Sequence, residues 1–188
     1  MRSVALDAPA GLLLLEPAVF GDHRGFFMET YRRDLLAGLG VHDDFVQDNH
    51  SSSSRGVLRG LHYQRRRGQA KLVRVLRGTV LDVAVDLRSG SPTFGRHAAV
   101  ELSEANRRIL YVPSGFAHGF LVRSDTAEFA YKCSDYYAPS EERGLAWDDP
   151  ALGIPWNLPP GFRPTVSDKD ARHPRLADVA RDDLPEDR

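Results

Sequence analysis

The stretch TVLDVAVDL, residues 79–87, constrains the fold more than any other part of this chain. Leu81, Val83, Val85 and Leu87 fall on one side of an extended backbone, and Val80, Asp82, Ala84 and Asp86 fall on the other. That period of two is the signature of a β-strand with one apolar side, because successive side chains of a strand point to opposite faces. The rest of the chain reads the same way, in short segments: LLLLE (12–16), FFMETY (26–31), DFVQDN (44–49), VLRGLHYQ (57–64), KLVRVL (71–76), HAAVEL (97–102), RILYV (108–112), HGFLVR (118–123) and AEFAYKC (127–133). Turn formers separate them in GDHRG, RGT, SGSPTFG and PSG. Only RRDLLAGLG (32–40), closed by Gly40, and PRLADVARDDL (174–184) read as short helices. Many short strands with regular turns predict an all-β sandwich or jelly roll with short peripheral helices.

The 188 residues fit one domain, with about 172–188 as a C-terminal extension whose charged end, DDLPEDR, is expected to be mobile. A hydrophobic share of 41% is enough for a core, and a net charge of −1 argues against a broad basic face for nucleic acid. The longest aliphatic run, Leu12 to Leu15, is far short of the roughly 20 residues that a membrane span needs. The start of the chain lacks the pattern of a signal peptide. The single cysteine, Cys133, allows neither an internal disulfide nor a cysteine-built zinc site. These features predict a soluble cytoplasmic protein.

Chemistry is suggested where a strand carries more than packing requires. VLRGLHYQ holds Arg59 and His62, and PSGFAHGF holds His118; both histidines sit beside glycines, which admit close approach of a ligand or another strand. His50 follows Gln47, Asp48 and Asn49, whereas His23, His42, His97 and His173 lie in turns or at segment ends and read as surface residues. PSGFAHGF resembles the second half of the cupin metal signature. The first half is incomplete, since LHYQRRR has Gln64 where a second histidine is needed and no glutamate follows. No metal is therefore expected. Without one, the side chains themselves must move protons. The candidates for proton transfer beside a carbonyl are a histidine as base near neutral pH, Lys71 at an enolate oxygen, Tyr131 as the returning acid, and Asp168 or Asp170 in SDKD as the carboxylate for the histidine.

Taken together, EPAVFGDHRGFFMETY, FVQDNHS, GVLRGLHYQ, GQAKLVRV, GTVLDVAVDLR, SPTFG, VPSGFAHGFLV, AEFAYKCSDYYAP and SDKD resemble the dTDP-4-dehydrorhamnose 3,5-epimerases, in order, from about residue 10 to residue 171. The resemblance implies a cofactor-free, homodimeric, cupin-type sandwich. It implies inversion of C3 and C5 of dTDP-4-keto-6-deoxy-D-glucose in the synthesis of dTDP-L-rhamnose. It also implies roles: His62 as general base, Asp170 as its carboxylate, Tyr131 as acid on the opposite face of the sugar, and Lys71 with His118 at the enolate oxygen. Arg24, Glu29, Gln47, Asn49, Arg59, Glu142 and Lys169 match nucleotide-sugar contacts. Tyr136 matches the ring that stacks on thymine, and Phe26 is a second aromatic candidate. Arg24 and Arg59 suit a diphosphate through paired guanidinium hydrogen bonds.

Strict alternation puts Arg59 and His62 on opposite faces of their strand, so both reach one pocket only through a bulge at Gly60, or if Arg59 reaches round an edge or across a dimer. Arg65, Arg66 and Arg67 read as a solvated basic turn, or as added attraction for a diphosphate. A C3-only or C5-only epimerase is the nearest alternative. A metal-dependent cupin oxygenase and a non-catalytic sugar-nucleotide binding module are the others.

Overall fold

The computed structural model describes residues 1–185; the last part of the charged end, residues 186–188, lies outside the described residues. The strands in chain order are β1 (Arg2–Val4), β2 (Leu13–Glu16), β3 (Val19–Asp22), β4 (Gly25–Met28), β5 (Gln47–Ser54), β6 (Leu58–Gln64), β7 (Lys71–Arg77), β8 (Thr79–Asp86), β9 (His97–Ser103), β10 (Ile109–Val112), β11 (Phe116–Val122), β12 (Thr126–Cys133) and β13 (Glu142–Gly144). A single α-helical turn, α1 (Arg33–Ala37), joins the β3–β4 hairpin to β5. Two main antiparallel sheets result, one ordered β1-β2-β10-β7-β12-β5 and the other β13-β6-β11-β8-β9, with β3 and β4 paired apart from both. This is the expected all-β, cupin-like jelly roll.

The alternation in β8 explains how the layers stack. Val80 and Ala84 join Val73, Val75, Phe120 and Phe129 in the core between the sheets. Leu81, Val83, Val85 and Leu87 face the opposite way, under Leu145, Leu152, Trp156 and Val166 of the chain that follows β13. Both sides of the strand are therefore buried, each large aliphatic side chain contributing about 1.5–3 kcal/mol. The side carrying Asp82 and Asp86 is the inner one. Asp86 is satisfied by Arg88, Ser91 and Thr93, whose hydrogen bonds outweigh burial and bring its pKa down to about 2. A third cluster, around Leu15, Leu72, Ile109 and Tyr111, covers the outer side of the first sheet and is capped by Leu36 and Val41.

The short helix ends as the sequence suggests. Gly40 has φ of 89°, and the amides of Gly40 and Val41 bond the carbonyls of Ala37 and Leu36, both at 3.0 Å. Two local expectations fail. Residues 174–184 form two 3-10 turns, Leu176–Asp178 and Arg181–Asp183, rather than an α-helix. Extended Val179 separates them, and Leu176 gives its amide to the Asp149 side chain at 2.7 Å, while Leu176 and Val179 pack on the second cluster. The other failure is β5, read from the sequence as 44–49 but running over Gln47–Ser54. As an edge strand it takes its stability from an eight-residue ladder with β12, from Thr126↔Ser54 to Cys133↔Gln47.

Candidate active site

The site begins with an irregularity in β6. His62 pairs with His118 on β11, but Arg59 pairs with Phe120, so three residue steps on β6 match two on β11. The extra residue makes a bulge at Gly60, whose φ of 121° suits glycine. The two backbones meet closely there: a β-carbon on Gly60 would lie 2.6 Å from the Gly119 Cα. The bulge turns Arg59 and His62 to the same side, and both line a cavity of about 610 Å³. Arg59 is steadied by a bond from Nε to Ser53 Oγ at 3.0 Å.

The cavity is walled by both sheets. His62 and His118 come from the five-stranded sheet, on β6 and β11, whereas Lys71 and Tyr131 come from the six-stranded sheet, on β7 and β12. A smaller hollow of about 270 Å³ shares Asn49, His62, Lys71 and Tyr131 with it, and adds Gln47, Gln64, Tyr137 and Glu142. The residues from 165 to 170 close the main cavity from outside the sheets.

Asp170 enters from that closing segment and is 5% exposed. Its Oδ1 lies 2.7 Å from His62 Nε2, and its Oδ2 accepts the Gly60 amide at 3.2 Å. The bulge thus aims His62 and also holds its carboxylate. Burial pushes the Asp170 pKa up, but the nearby imidazoles of His173 and His62 and the Gly60 amide bring it well below the usual carboxylate range. Asp168, the other carboxylate in SDKD, is exposed. The 3-10 turn Asp170–Arg172 starts at Asp170, and its geometry directs that residue inward.

A second histidine–carboxylate pair lies deeper. His118 Nε2 is 2.9 and 3.0 Å from the two oxygens of Asp82, and both residues are buried. Burial lowers the Lys71 pKa, while Cys133, Asp82 and Glu142 act the other way. Burial raises the Tyr131 pKa, with Cys133 and Glu142 adding to it and Arg59 opposing, so Tyr131 keeps its proton at neutral pH. Lys169 Nζ pairs with Glu142 at 2.6 Å, and Tyr137 donates to the same carboxylate. These bonds hold Glu142 below its ordinary pKa against the opposing effect of burial.

Of the residues singled out from sequence, His62, Lys71, Tyr131, Asp170, Arg59, Asn49, His118 and Lys169 meet at the main cavity, and Gln47 and Glu142 line the smaller one. Arg24, Phe26 and Glu29 do not reach either. Arg24 pairs with Asp22, Phe26 lies under the Arg107 guanidinium at 4.2 Å, and Glu29 faces Arg32 at 3.7 Å. Tyr136 is exposed and lines neither hollow; its neighbour Tyr137 does. Arg65 pairs with Glu141 and Asp183, and Arg67 with Asp135, so those two guanidiniums tie loops together. His97 is half-buried rather than on the surface, and burial lowers its pKa. His173 is also no surface residue: its side chain is 11% exposed and lies 3.5 Å from Asp170. Sequence reasoning missed Asp82, His173 and Tyr137. Asp82 had a signal, a carboxylate within an apolar strand; the other two had none beyond nearness to a motif.

A family model described as dTDP-4-dehydrorhamnose 3,5-epimerase matches residues 8–178. The chain is 52% identical over 180 residues to the dTDP-4-dehydrorhamnose 3,5-epimerase of Pseudomonas aeruginosa, covering 95% of this chain and 98% of that one. Its fold is similar to that of a dTDP-6-deoxy-D-glucose-3,5-epimerase from Legionella pneumophila in complex with dTDP-4-keto-L-rhamnose, with a TM-score of 0.90, 49% identity and 94% of each chain covered. A 3'-monoepimerase from Streptomyces bikiniensis, in complex with dTDP-quinovose, is more distant in sequence. It has 37% identity and a TM-score of 0.87, over 99% of this chain and 93% of that one. On this evidence, the chain belongs to the dTDP-4-dehydrorhamnose 3,5-epimerase family of isomerases.

Proposed function

We propose that the cavity binds dTDP-4-keto-6-deoxy-D-glucose and inverts its C3 and C5 centres by proton transfer. One observation carries the assignment of roles: the candidate base and acid stand on facing sheets, His62 on β6 and Tyr131 on β12. A sugar ring between them has a proton acceptor on one face and a donor on the other. The 4-keto group acidifies the hydrogens on C3 and C5 alike. His62, held by Asp170, removes one of them, and the electron pair moves into the C4–O4 bond as an enolate. Lys71 and His118 stabilise that oxygen, and Tyr131 returns a proton to the opposite face. His62 then passes its proton to solvent and Tyr131 regains one from it, and a repeat at the second carbon completes the reaction. Only protons move, so the reaction needs no redox cofactor.

Arg59 and Lys169 at the cavity, with Gln47, Asn49 and Glu142, are assigned to the nucleotide and sugar. Arg24, Phe26 and Glu29 are assigned to the cavity of a second copy, in a homodimer. Two features support this: the hairpin β3–β4 belongs to neither main sheet, and its Phe20 and Phe27 are 66% and 69% exposed. Mixing subunits tests the exchange. If His62→Ala and Arg24→Ala chains are each inactive alone, random pairing restores roughly a quarter of full activity, because each mixed dimer has one intact site. No recovery places Arg24 in its own subunit's site.

A single domain that includes the segment after residue 172, in the cytoplasm, completes the reading. Packing of Leu176 and Val179 on the second core cluster supports the first part. No helix among the described residues is long and apolar enough to cross a membrane. The decisive experiment is incubation of chelator-treated protein with the substrate in D₂O, followed by NMR. Deuterium at both C3 and C5 is expected. Deuterium at one carbon identifies a single-centre epimerase, and deuterium at neither refutes proton-transfer catalysis on this sugar.

A further inference from the structure

Asp170 faces two imidazoles. His173 Nε2 lies 3.5 Å from Asp170 Oδ1, the oxygen already 2.7 Å from His62 Nε2. The two rings stand edge to face, 79° apart, with centroids 5.6 Å from one another. His173 Nε2 is buried and has no hydrogen-bond partner within ordinary limits, so this carboxylate oxygen is the group it faces. A buried polar nitrogen left without a partner is costly, and a small approach to Oδ1 satisfies it.

The surroundings are built to seat this ring. Gly144 stands directly across from His62 in the β13–β6 ladder, and a β-carbon there would overlap the His173 imidazole. The backbone just after His173 is fixed as well: the Pro174 carbonyl accepts the Ala146 amide at 2.8 Å, and the Leu176 amide is held by Asp149. The ring is thus placed by contacts independent of Asp170. The other charged groups around the carboxylate are His62 from β6, Glu142 from β13 and Lys169 from its own turn, the last two paired with each other.

We propose that His173 is a positioning residue: by sharing Asp170 Oδ1 with His62, it holds the carboxylate ionised and fixed in direction while His62 gains and loses protons. The inference rests on the assignment of His62 and Asp170 as the base pair. Inversion at two carbons uses His62 twice in one visit of the substrate. A carboxylate tied to one imidazole alone is free to follow that ring as its charge changes. A second N–H and the Gly60 amide keep it in place through both cycles.

Three full-length variants test this in chelator-treated protein: His173→Phe, which fills the space without a donor; His173→Gln, which keeps an N–H; and Gly144→Ala, which displaces the ring from the other side. The measurements are kcat, KM, the pH profile of kcat/KM, thermal midpoint, and deuterium exchange at C3 and C5. In the Phe variant, kcat is expected to fall roughly ten- to hundredfold, the scale for partners that orient a catalytic group, with KM nearly unchanged. The acid limb of its profile should move to higher pH, because a carboxylate relieved of one donor draws a proton to its remaining imidazole more strongly. The Gln variant should recover most of kcat, and Gly144→Ala should resemble Phe. Wild-type kcat and profile in the Phe variant overturn the inference, as do equal losses in Phe and Gln that track the thermal midpoint. If Phe does not fold, the Gly144→Ala profile decides alone. A wild-type protein that exchanges neither proton refutes the base-pair assignment itself, a result distinct from any difference among variants.

Discussion

The two histidine–carboxylate pairs in the cavity are chemically alike and built differently. His118 and Asp82 sit on neighbouring strands, β11 and β8, and both are buried, so the sheet ladder alone sets their geometry. His62 is 30% exposed, and its carboxylate comes from a turn 108 residues further along the chain. The first pair is a fixed part of the core. The second is assembled by docking one segment onto a finished sheet, which leaves His62 open to a ligand. On this view a rigid pair suits charge stabilisation, and a half-open pair suits a group that must meet the substrate and change its protonation.

Breaking the open pair should give the largest effect. His62→Ala is expected to lower kcat by about 10²–10⁴-fold while dTDP binding persists, as measured by calorimetry beside turnover. Full turnover in that variant removes His62 from the mechanism. Breaking the closed pair should act first on the fold. His118→Ala leaves Asp82 buried without its partner, and a loss of about 3–5 kcal/mol in urea unfolding is expected. An unchanged unfolding midpoint would mean that the ladder does not depend on this pair.

Loosening the dock should separate the pairs more gently. Leu176→Ala removes part of the apolar contact under the closing segment, for about 1 kcal/mol of stability. A severalfold drop in kcat should accompany it, with the His118–Asp82 pair untouched. Acid gives the smallest contrast. The Asp170 pKa is lowered on folding from a reference of 3.8, so its contribution to stability is complete above that value and fades as the pH falls below it. The difference in thermal midpoint between wild type and Asp170→Asn should therefore narrow below about pH 4. A gap that stays constant to lower pH would show that Asp170 does not gain its ionised form's stability from folding.

Legibility in the sequence followed the same division. Features set by strand alternation were readable: the strand at 79–87, and a bulge at Gly60 as one route by which Arg59 and His62 share a pocket, whereas the grouping of His62, Lys71 and Tyr131 rested on the family resemblance. Features set by how irregular chain returns to the sheets were not. Nothing in the order of SDKD shows that Asp170 turns inward and Asp168 outward, because that depends on where a 3-10 turn begins. His173 looked like a surface residue because its burial depends on the absence of a side chain at Gly144, a residue distant in sequence. The strand bounded at 44–49 runs on to Ser54 because an edge strand draws its stability from its partner, not from its own side chains. Placing Arg24, Phe26 and Glu29 required the fold, which sets the hairpin apart from the cavity.

The arrival of Asp170 so late in the chain also bears on how the protein is made. Both sheets, with His62, His118, Lys71 and Tyr131 in place, are encoded before the closing segment leaves the ribosome, and domains tend to fold as they emerge. A nascent or prematurely terminated chain then has a histidine without its carboxylate and a cavity without its closing wall. With the roles proposed above for His62 and Asp170, chemistry is expected only in the completed chain.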